Sequence, residues 1–282
     1  MEMPLHMQRF ELPLKAVHVQ CLDDCGEPIN GAFASGFICE EEGVKFLYTC
    51  WHVVTGYNMH DLKIPNLLSP RSALRITLQD ADVRAPGVTA IGGNQQVVLP
   101  LYQSREVPFM PFWFQDEKDV PQPDLNAIGL RVPFWHDAIK LPLPETLQIS
   151  DMQVIGEGPR FKSLITPGDR LYIVGFPYGY SALGMQQPTP IVLTQHVAAI
   201  RLAGRNREML LDGSGAPGMS GGPVFLENSE GIFLFGIYTG LIYPDHVIAK
   251  NERVTALGTC ADMVLCWTHF PLKPYGSQIA GK

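Results

Sequence analysis

The chain has 282 residues, of which 46% are hydrophobic and only 17% are charged, so it can bury a sizeable core and is neither disordered nor a coiled coil. Its 27 glycines and 24 prolines favour turns and short strands over long helices. The net charge of -7 comes without a basic block, so nucleic acid is not an expected partner.

The sequence contains no export or membrane signal. The N-terminus lacks the apolar stretch of a signal peptide, and the longest uncharged apolar run, 231–243, is too short to cross a bilayer. We therefore expect a cytoplasmic protein without membrane contact. The six cysteines show neither a dense disulfide framework nor zinc-ligand spacing, so we expect most of them to be reduced and no metal or cofactor to be bound.

Short runs rich in β-branched and aromatic residues, each bounded by Gly, Pro, Asn or Asp, predict strands. In chain order they lie at 31–38, 44–50, 73–78, 170–176, 190–200, 222–226 and 231–240. Apolar residues recur at helical spacing at 253–267, which predicts one short C-terminal helix. The predicted fold class is all-β apart from this helix.

The strands fall into two groups, which predicts two domains. The first would span 1–131, with an insertion at about 56–120 that carries many prolines. The segment 132–149 is rich in proline and is predicted to be a linker. The second domain would span 150–282 and include the helix.

Ser220 lies in DGSGAPGMSGGPVF, 212–225, directly before an apolar run. A serine hydroxyl becomes a nucleophile only when a base removes its proton, and the oxyanion that forms needs preorganised donors. The flanking glycines permit a tight turn in which the amides of Gly218 and Ser220 point at one oxygen. The alternative interpretation is a glycine-rich hairpin with an exposed serine.

His52, in the apolar run FLYTCWHVV at 46–54, is the candidate base. A single histidine in such a run is more often a hydrogen-bonded core residue, so its interpretation depends on Ser220. A carboxylate must hold the imidazole in the correct tautomer. Asp124 in PDLNAIGLRV is the candidate because it directly precedes an apolar run, and capping of a strand or helix is the alternative.

The order His52, Asp124, Ser220 is the chymotrypsin-type order. On these residues the chain resembles the trypsin-like serine peptidases, and most closely their bacterial high-temperature-requirement-protease-like branch. TCWHVV is similar to that branch's Thr-Ala-Ala-His-Val-Val and DLNAIGL to its Asp-Val-Ala-Ala-Ile-Pro-Leu segment, while PGDRLYIVGFPYG and the segment 212–224 match its strand, turn and nucleophile motifs. The chain departs from the pattern at Cys50 and Trp51, which replace two alanines.

The resemblance implies two six-stranded antiparallel β-barrels packed face to face, with the active site in the cleft between them. His52 and Asp124 would come from the first barrel, and Ser220 and the oxyanion amides from the second. Ser220 would attack a peptide carbonyl with His52 as base, without a metal or cofactor. The specificity pocket would have its floor near Ser214 and walls from Tyr238, Thr239 and Gly240, which are uncharged and predict cleavage after uncharged, small to medium or apolar residues.

The sequence therefore predicts a serine endopeptidase that acts on proteins or peptides, and a regulatory partner is left open. A catalytically silent binding module of the same fold is one alternative, since Trp51 beside His52 could distort the cleft. An esterase or acyltransferase with the same triad is the other, because acyl transfer to another nucleophile needs no further residues.

Overall fold

The computed structural model describes residues 5–56, 71–85, 88–104, 110–117, 134–156, 165–179, 188–203, 206–213, 215–229, 231–242, 261–266 and 273–274, and all structural statements refer to these. Strands dominate, which confirms the all-β prediction. Short α-helices lie at Leu5–Glu11 (α1) and Trp51–Thr55 (α2), and 3-10 turns at Leu12–Lys15 and Pro177–Gly179. None of the described helices is long and apolar enough to span a membrane.

Seventeen strands are present in the described residues. In chain order they are β1 Val17–Leu22, β2 Pro28–Glu41, β3 Val44–Thr49, β4 Ala73–Ala85, β5 Val88–Pro100, β6 Tyr102–Ser104, β7 Met110–Pro111, β8 Phe114–Glu117, β9 Phe134–Pro142, β10 Val154–Ile155, β11 Arg170–Gly175, β12 Ile191–Ala203, β13 Asn206–Leu211, β14 Pro223–Asn228, β15 Gly231–Ile242, β16 Ala261–Cys266 and β17 Lys273–Pro274.

The N-terminal half is built on one large sheet with the strand order β17-β8-β9-β3-β2-β1-β4-β5, to which β10 adds by parallel pairing with β2. The described part of this sheet has nine strands where six were expected, since short strands such as β10 and β17 add to it. Much of the expected insertion at 56–120 is regular structure, because β4 and β5 form a long hairpin beside β1.

The predicted linker at 132–149 is wrong in its central part. Strand β9 lies there and pairs with β3 on one side and with β8 on the other, with Thr49 opposite Ile139. Residues Ala138, Ile139 and Leu141 of this strand are buried. Burial of these side chains and two edges of hydrogen bonds outweigh the turn preference of the neighbouring prolines.

The C-terminal half is a closed six-stranded barrel in the order β11-β12-β13-β16-β15-β14, as the resemblance implies. Its strand β16 corrects the predicted helix at 253–267, of which only residues 261–266 are described. These residues pair with β13 and β15 at once. Because closure removes the unpaired edges of both neighbours, the tertiary context overrides the local helical spacing.

The two halves share buried surface. Phe176, Phe225 and Ile237 from the C-terminal half belong to the same core cluster as Leu47 and Trp51 from the first sheet. The chain ends also cross between the halves, because Gln8 of α1 accepts a hydrogen bond from the amide of Ile232 (2.9 Å) and β17 pairs with β8. The junction between the halves is therefore a packed interface.

His18 of β1 is a buried titratable group at this junction. Its ring meets that of Phe176 edge-on, with 5.3 Å between the ring centroids. Burial lowers the pKa of His18 from 6.5 to about 4. Between these values the unfolded chain holds a proton that the folded chain does not, so stability is fully present above pH 6.5 and falls as the pH drops towards 4.

We predict that His18 alone lowers the free energy of unfolding by about 3 kcal/mol between pH 7 and pH 4. Urea unfolding of the wild type and of His18→Leu at both pH values measures this contribution, because leucine cannot take up the proton. The variant should lose about 3 kcal/mol less than the wild type over this interval. Identical losses in the two proteins would contradict the prediction.

Candidate active site

Ser220 lies in the turn that joins β13 to β14. One glycine before it and one glycine after it adopt positive φ. Gly218 has φ of +95° and Gly221 has φ of +85°. A side chain at Gly218 would approach the ring of Phe33 within 2.8 Å, and one at Gly221 would collide with Thr49 and the carbonyl of Ser35. Both positions require glycine because of backbone conformation and lack of space.

Hydrogen bonds hold four consecutive carbonyl groups of this turn, which we call the nucleophile turn and define as residues 217–220. The carbonyl of Pro217 accepts from the amide of Tyr178 (2.6 Å), and that of Met219 accepts from the amide of Gly222 (2.9 Å). The carbonyls of Gly218 and Ser220 accept from Ser35, through its hydroxyl (2.7 Å) and its amide (2.9 Å) respectively. Every peptide plane that follows Pro217 in the turn is therefore fixed.

These bonds also orient the amides of the nucleophile turn. In a planar trans peptide the N–H points opposite to the C=O, so the amides of Gly218 and Ser220 face away from the groups that hold Pro217 and Met219. Within the described chain, neither amide donates a hydrogen bond to another residue. Two oriented N–H groups without a protein acceptor are what an oxyanion site requires.

His52 belongs to helix α2, directly after β3. Its ring Nδ1 lies 2.6 Å from Oδ2 of Asp137, and its main-chain N–H donates to Oδ1 of the same carboxylate over 2.9 Å. The second bond satisfies a first-turn helix amide that has no partner within the helix. The side chain of Asp137 is 6% exposed and that of His52 is 28% exposed, so a buried carboxylate holds an imidazole that solvent can reach.

The carbonyl end of α2 is fixed as well. The guanidinium of Arg71 donates to the carbonyl of His52 (2.7 Å) and to that of Val53. Both the amide and the carbonyl of His52 are thus hydrogen-bonded, which fixes the backbone from which the imidazole projects.

The residues before His52 and the residue after Ser220 bond to main-chain carbonyls at the junction between the halves. The carbonyl of Tyr238 in β15 accepts from the amide of Gly221 (2.8 Å) and from the thiol of Cys50 (3.4 Å). The hydroxyl of Thr49 donates to the carbonyl of Ser35 (2.8 Å). The thiol of Cys50 and the amide of Gly221 therefore meet at one carbonyl, that of Tyr238, while Thr49 bonds to Ser35.

A second histidine–aspartate pair is exposed and is a weaker candidate. Nδ1 of His196 lies 3.1 Å from Asp212, and the two side chains are 43% and 49% exposed. The main-chain N–H of His196 is the main cause of the lowered pKa of Asp212. Solvent screens such a pair, so the buried Asp137 is the better orienting group for a catalytic imidazole.

Cys50, His52 and Asp137 bring potential metal-ligating atoms within 4.8 Å of one another. The arrangement does not suit a metal ion. Burial raises the pKa of the Cys50 thiol well above its usual value, whereas the thiolate is the form that binds metals. Asp137 already uses both oxygens on His52.

In the described part of the chain, His52, Gly218 and Ser220 lie at the junction between the halves, and the catalytic roles expected of them stay predictions. Asp124 and Ser214 lie outside the described residues. Tyr238, Thr239 and Gly240 lie on β15, where the first two are buried.

Trp51 does not occupy the cleft. Its side chain is buried in the first sheet, and its indole N–H donates to Gln115 of β8 over 3.2 Å. The position of Trp51 therefore does not support the alternative in which this residue distorts the cleft.

Sequence analysis missed Asp137, because the segment around it was interpreted as a linker. The signal was present, since Asp137 directly precedes the apolar pair Ala138 and Ile139, which is the criterion that selected Asp124. The structure attaches Asp137 to His52 through two hydrogen bonds.

Comparison with known proteins agrees with the fold. The family model described as "Trypsin-like peptidase domain" matches residues 34–234, which is most of the chain. This chain belongs to the trypsin-like peptidase domain family. The matched residues include His52, Asp137 and Ser220.

Among solved structures, the chain is similar to the serine endoprotease from Yersinia pestis, with 17% identity and a TM-score of 0.44. The alignment covers 94% of this chain and 63% of that structure, so the chain spans less than two thirds of the relative's length. A search of curated protein sequences finds no significant match.

Proposed function

We propose that this chain is a serine endopeptidase in which Ser220 is the nucleophile, His52 the general base and Asp137 the orienting carboxylate, in place of Asp124. The observation that carries the proposal is the buried Asp137–His52 pair, 2.6 Å apart, at the junction that also holds the nucleophile turn. Membership in a peptidase family supports the same reaction.

The first chemical step forms the acyl-enzyme. Ser220 Oγ attacks the carbonyl carbon of the substrate peptide while its proton passes to Nε2 of His52. Asp137 accepts a hydrogen bond from Nδ1–H, which leaves Nε2 free to act as base and stabilises the imidazolium that forms. The oxyanion is received by the amides of Gly218 and Ser220.

The intermediate then breaks down. The imidazolium gives its proton to the leaving amine as the C–N bond breaks, and the acyl group stays on Ser220. Water attacks this ester with His52 again as base, the ester bond to Ser220 breaks, and the carboxylate product leaves. None of these steps uses a metal or cofactor.

The substrate pocket is proposed beside Ser220, between β15 and residues 213 and 215–219. Tyr238 is buried, and its ring approaches Gly215 so closely that an added methyl group there would lie 2.7 Å from Cζ. A methyl group at Gly213 would lie 2.6 Å from Cδ of the buried Gln195. The pocket walls are thus neutral and close together, which favours a small, uncharged residue before the cleaved bond.

A protein or peptide is the proposed substrate. The expected cytoplasmic location, the expected absence of nucleic-acid and membrane partners, and a regulatory partner stay predictions.

We predict that Ser220→Ala abolishes peptide hydrolysis and labelling by a fluorophosphonate probe, while the protein remains folded by circular dichroism. His52→Ala should be comparably inactive, because residues that act as one unit give non-additive losses. More than about one hundredth of wild-type activity in purified Ser220→Ala would contradict the nucleophile assignment. A wild-type protein that the probe does not label would indicate the silent binding module, and turnover of esters alone would indicate the esterase.

We predict that Asp137→Asn lowers kcat by about 10³-fold to 10⁴-fold with little change in stability, because asparagine favours the wrong imidazole tautomer. Asp124→Asn and Asp212→Asn are the matched controls and should change kcat less than about threefold, because the proposal gives the orienting role to Asp137 alone. Steady-state kinetics on one peptide substrate tests all three. A severe Asp124→Asn together with a mild Asp137→Asn would return the orienting role to Asp124.

We predict cleavage after small, uncharged residues in a peptide library, and a shift towards large apolar residues in Tyr238→Ala, because the ring that fills the pocket is removed. Gln195→Ala, which removes a neighbouring side chain of the proposed pocket wall, is the variant with which Tyr238→Ala is compared. Dominant cleavage after Arg, Lys or Glu in the wild type would contradict the prediction, as would an unchanged preference in Tyr238→Ala.

A further inference from the structure

Ser35 is a buried hydroxyl residue that the reaction chemistry does not use. It lies in β2 of the first sheet and has no exposed surface. Its hydroxyl donates to the carbonyl of Gly218 (2.7 Å) and accepts from the amide of Phe176 (2.9 Å). A serine hydroxyl has one donor and can accept at its lone pairs, so its hydrogen-bonding capacity is used across the junction.

The main-chain amide and carbonyl of Ser35 are also both hydrogen-bonded. Its amide donates to the carbonyl of Ser220 (2.9 Å), and its carbonyl accepts from the hydroxyl of Thr49 (2.8 Å). Two of the four carbonyls in the nucleophile turn are therefore held by this single residue of the opposite half. A third carbonyl, that of Pro217, is held by Tyr178, which follows Phe176 by two residues.

The Ser35 hydroxyl lies in a closely packed site. A Cβ atom at Gly175 would lie 2.6 Å from Ser35 Oγ. The side chain of Met219 packs against the same glycine, where that Cβ would lie 3.0 Å from its sulfur, and Met219 is fully buried. The Gly218 carbonyl thus has its hydroxyl donor in a closed site between the two halves.

We propose that Ser35 is a positioning residue. By holding the peptide planes that directly follow Gly218 and Ser220, it fixes the backbone around these two residues and so sets the orientation of their amides. This inference rests on the proposed peptidase function. It adds that the oxyanion site depends on a hydroxyl from the first sheet, so the nucleophile turn takes its active geometry only when the two halves are docked. Ser35 does not touch substrate.

Kinetics of Ser35→Ala provide the first test, with Ser72→Ala as the matched control. Ser72 also bonds main-chain carbonyls through its hydroxyl, those of Leu22 and Asp23, but it makes none of the bonds to the nucleophile turn. For Ser35→Ala we expect a fall in kcat of about 10-fold to 100-fold, somewhat less than for loss of a whole oxyanion donor, and KM within about twofold.

A peptide boronic acid separates positioning from general damage. Its tetrahedral adduct with Ser220 uses the oxyanion site, so its affinity should fall by the same factor as kcat/KM in Ser35→Ala. Binding of the matching peptide amide to proteins that also carry Ser220→Ala should be unchanged. An unchanged kcat in folded Ser35→Ala, or equal losses for boronic acid and peptide amide, would overturn the proposal.

Hydrogen exchange gives a readout that does not depend on activity. In proteins that carry Ser220→Ala, adding Ser35→Ala should speed exchange of the Tyr178 and Gly222 amides relative to adding Ser72→Ala. Unchanged exchange would overturn the role of Ser35 even if the wild type is an active peptidase. Faster exchange in a chain that fails to hydrolyse peptides or react with fluorophosphonate would support Ser35 as the anchor of the turn and overturn the peptidase function instead.

If Ser35→Ala does not fold, Ser35→Cys carries the same measurements, because a thiol keeps the shape approximately and is a weaker donor. A folded Ser35→Cys with reduced kcat and faster exchange of the same amides supports the proposal. A folded Ser35→Cys with wild-type kcat and exchange would overturn it.

Discussion

The hydrogen bonds between Ser35 and the nucleophile turn are the interaction on which the rest of the site depends. They cross from the first sheet to the C-terminal barrel, and they end on the carbonyls of Gly218 and Ser220. A buried carbonyl without a donor is costly, so the turn is stable only where the first sheet approaches it. The relative position of the proposed base and the proposed nucleophile depends on the same contact, because Thr49 binds Ser35 and lies three residues before His52.

Close approach explains the glycines around this contact. Gly175, Gly218 and Gly221 each lie where an added Cβ would collide with the backbone or side chains of the opposing elements. Two of them also have positive φ, which other residues adopt at an energetic cost. The glycine-rich motif therefore permits dense packing between the halves as well as a tight turn.

The ionisable groups of the site differ in their exposure to solvent. Asp137 is almost fully buried and is satisfied by two hydrogen bonds from one residue, which offsets the cost of desolvating its charge. The side chain of His52 retains partial exposure to solvent. Cys50 beneath them is held as a neutral thiol by burial, which raises its pKa, so this position supplies packing and a weak hydrogen bond without competing chemistry.

The sequence by itself determined the all-β class, the turn that carries Ser220, and the histidine that ends an apolar run, because these depend on local alternation, glycine spacing and residue chemistry. The tertiary structure alone attached Asp137 to His52, since a carboxylate 85 residues away is selected by the pairing of β9 with β3. The tertiary structure also decided that residues 261–266 form a strand. This strand closes the barrel by hydrogen bonding to the edges of β13 and β15, and the local spacing of apolar residues carries no information about that pairing. The role of Ser35 could not be predicted from sequence for the same reason. Its hydroxyl donates to the carbonyl of Gly218, which lies 183 residues further along the chain, and only the docking of the two halves brings the two groups within hydrogen-bonding distance.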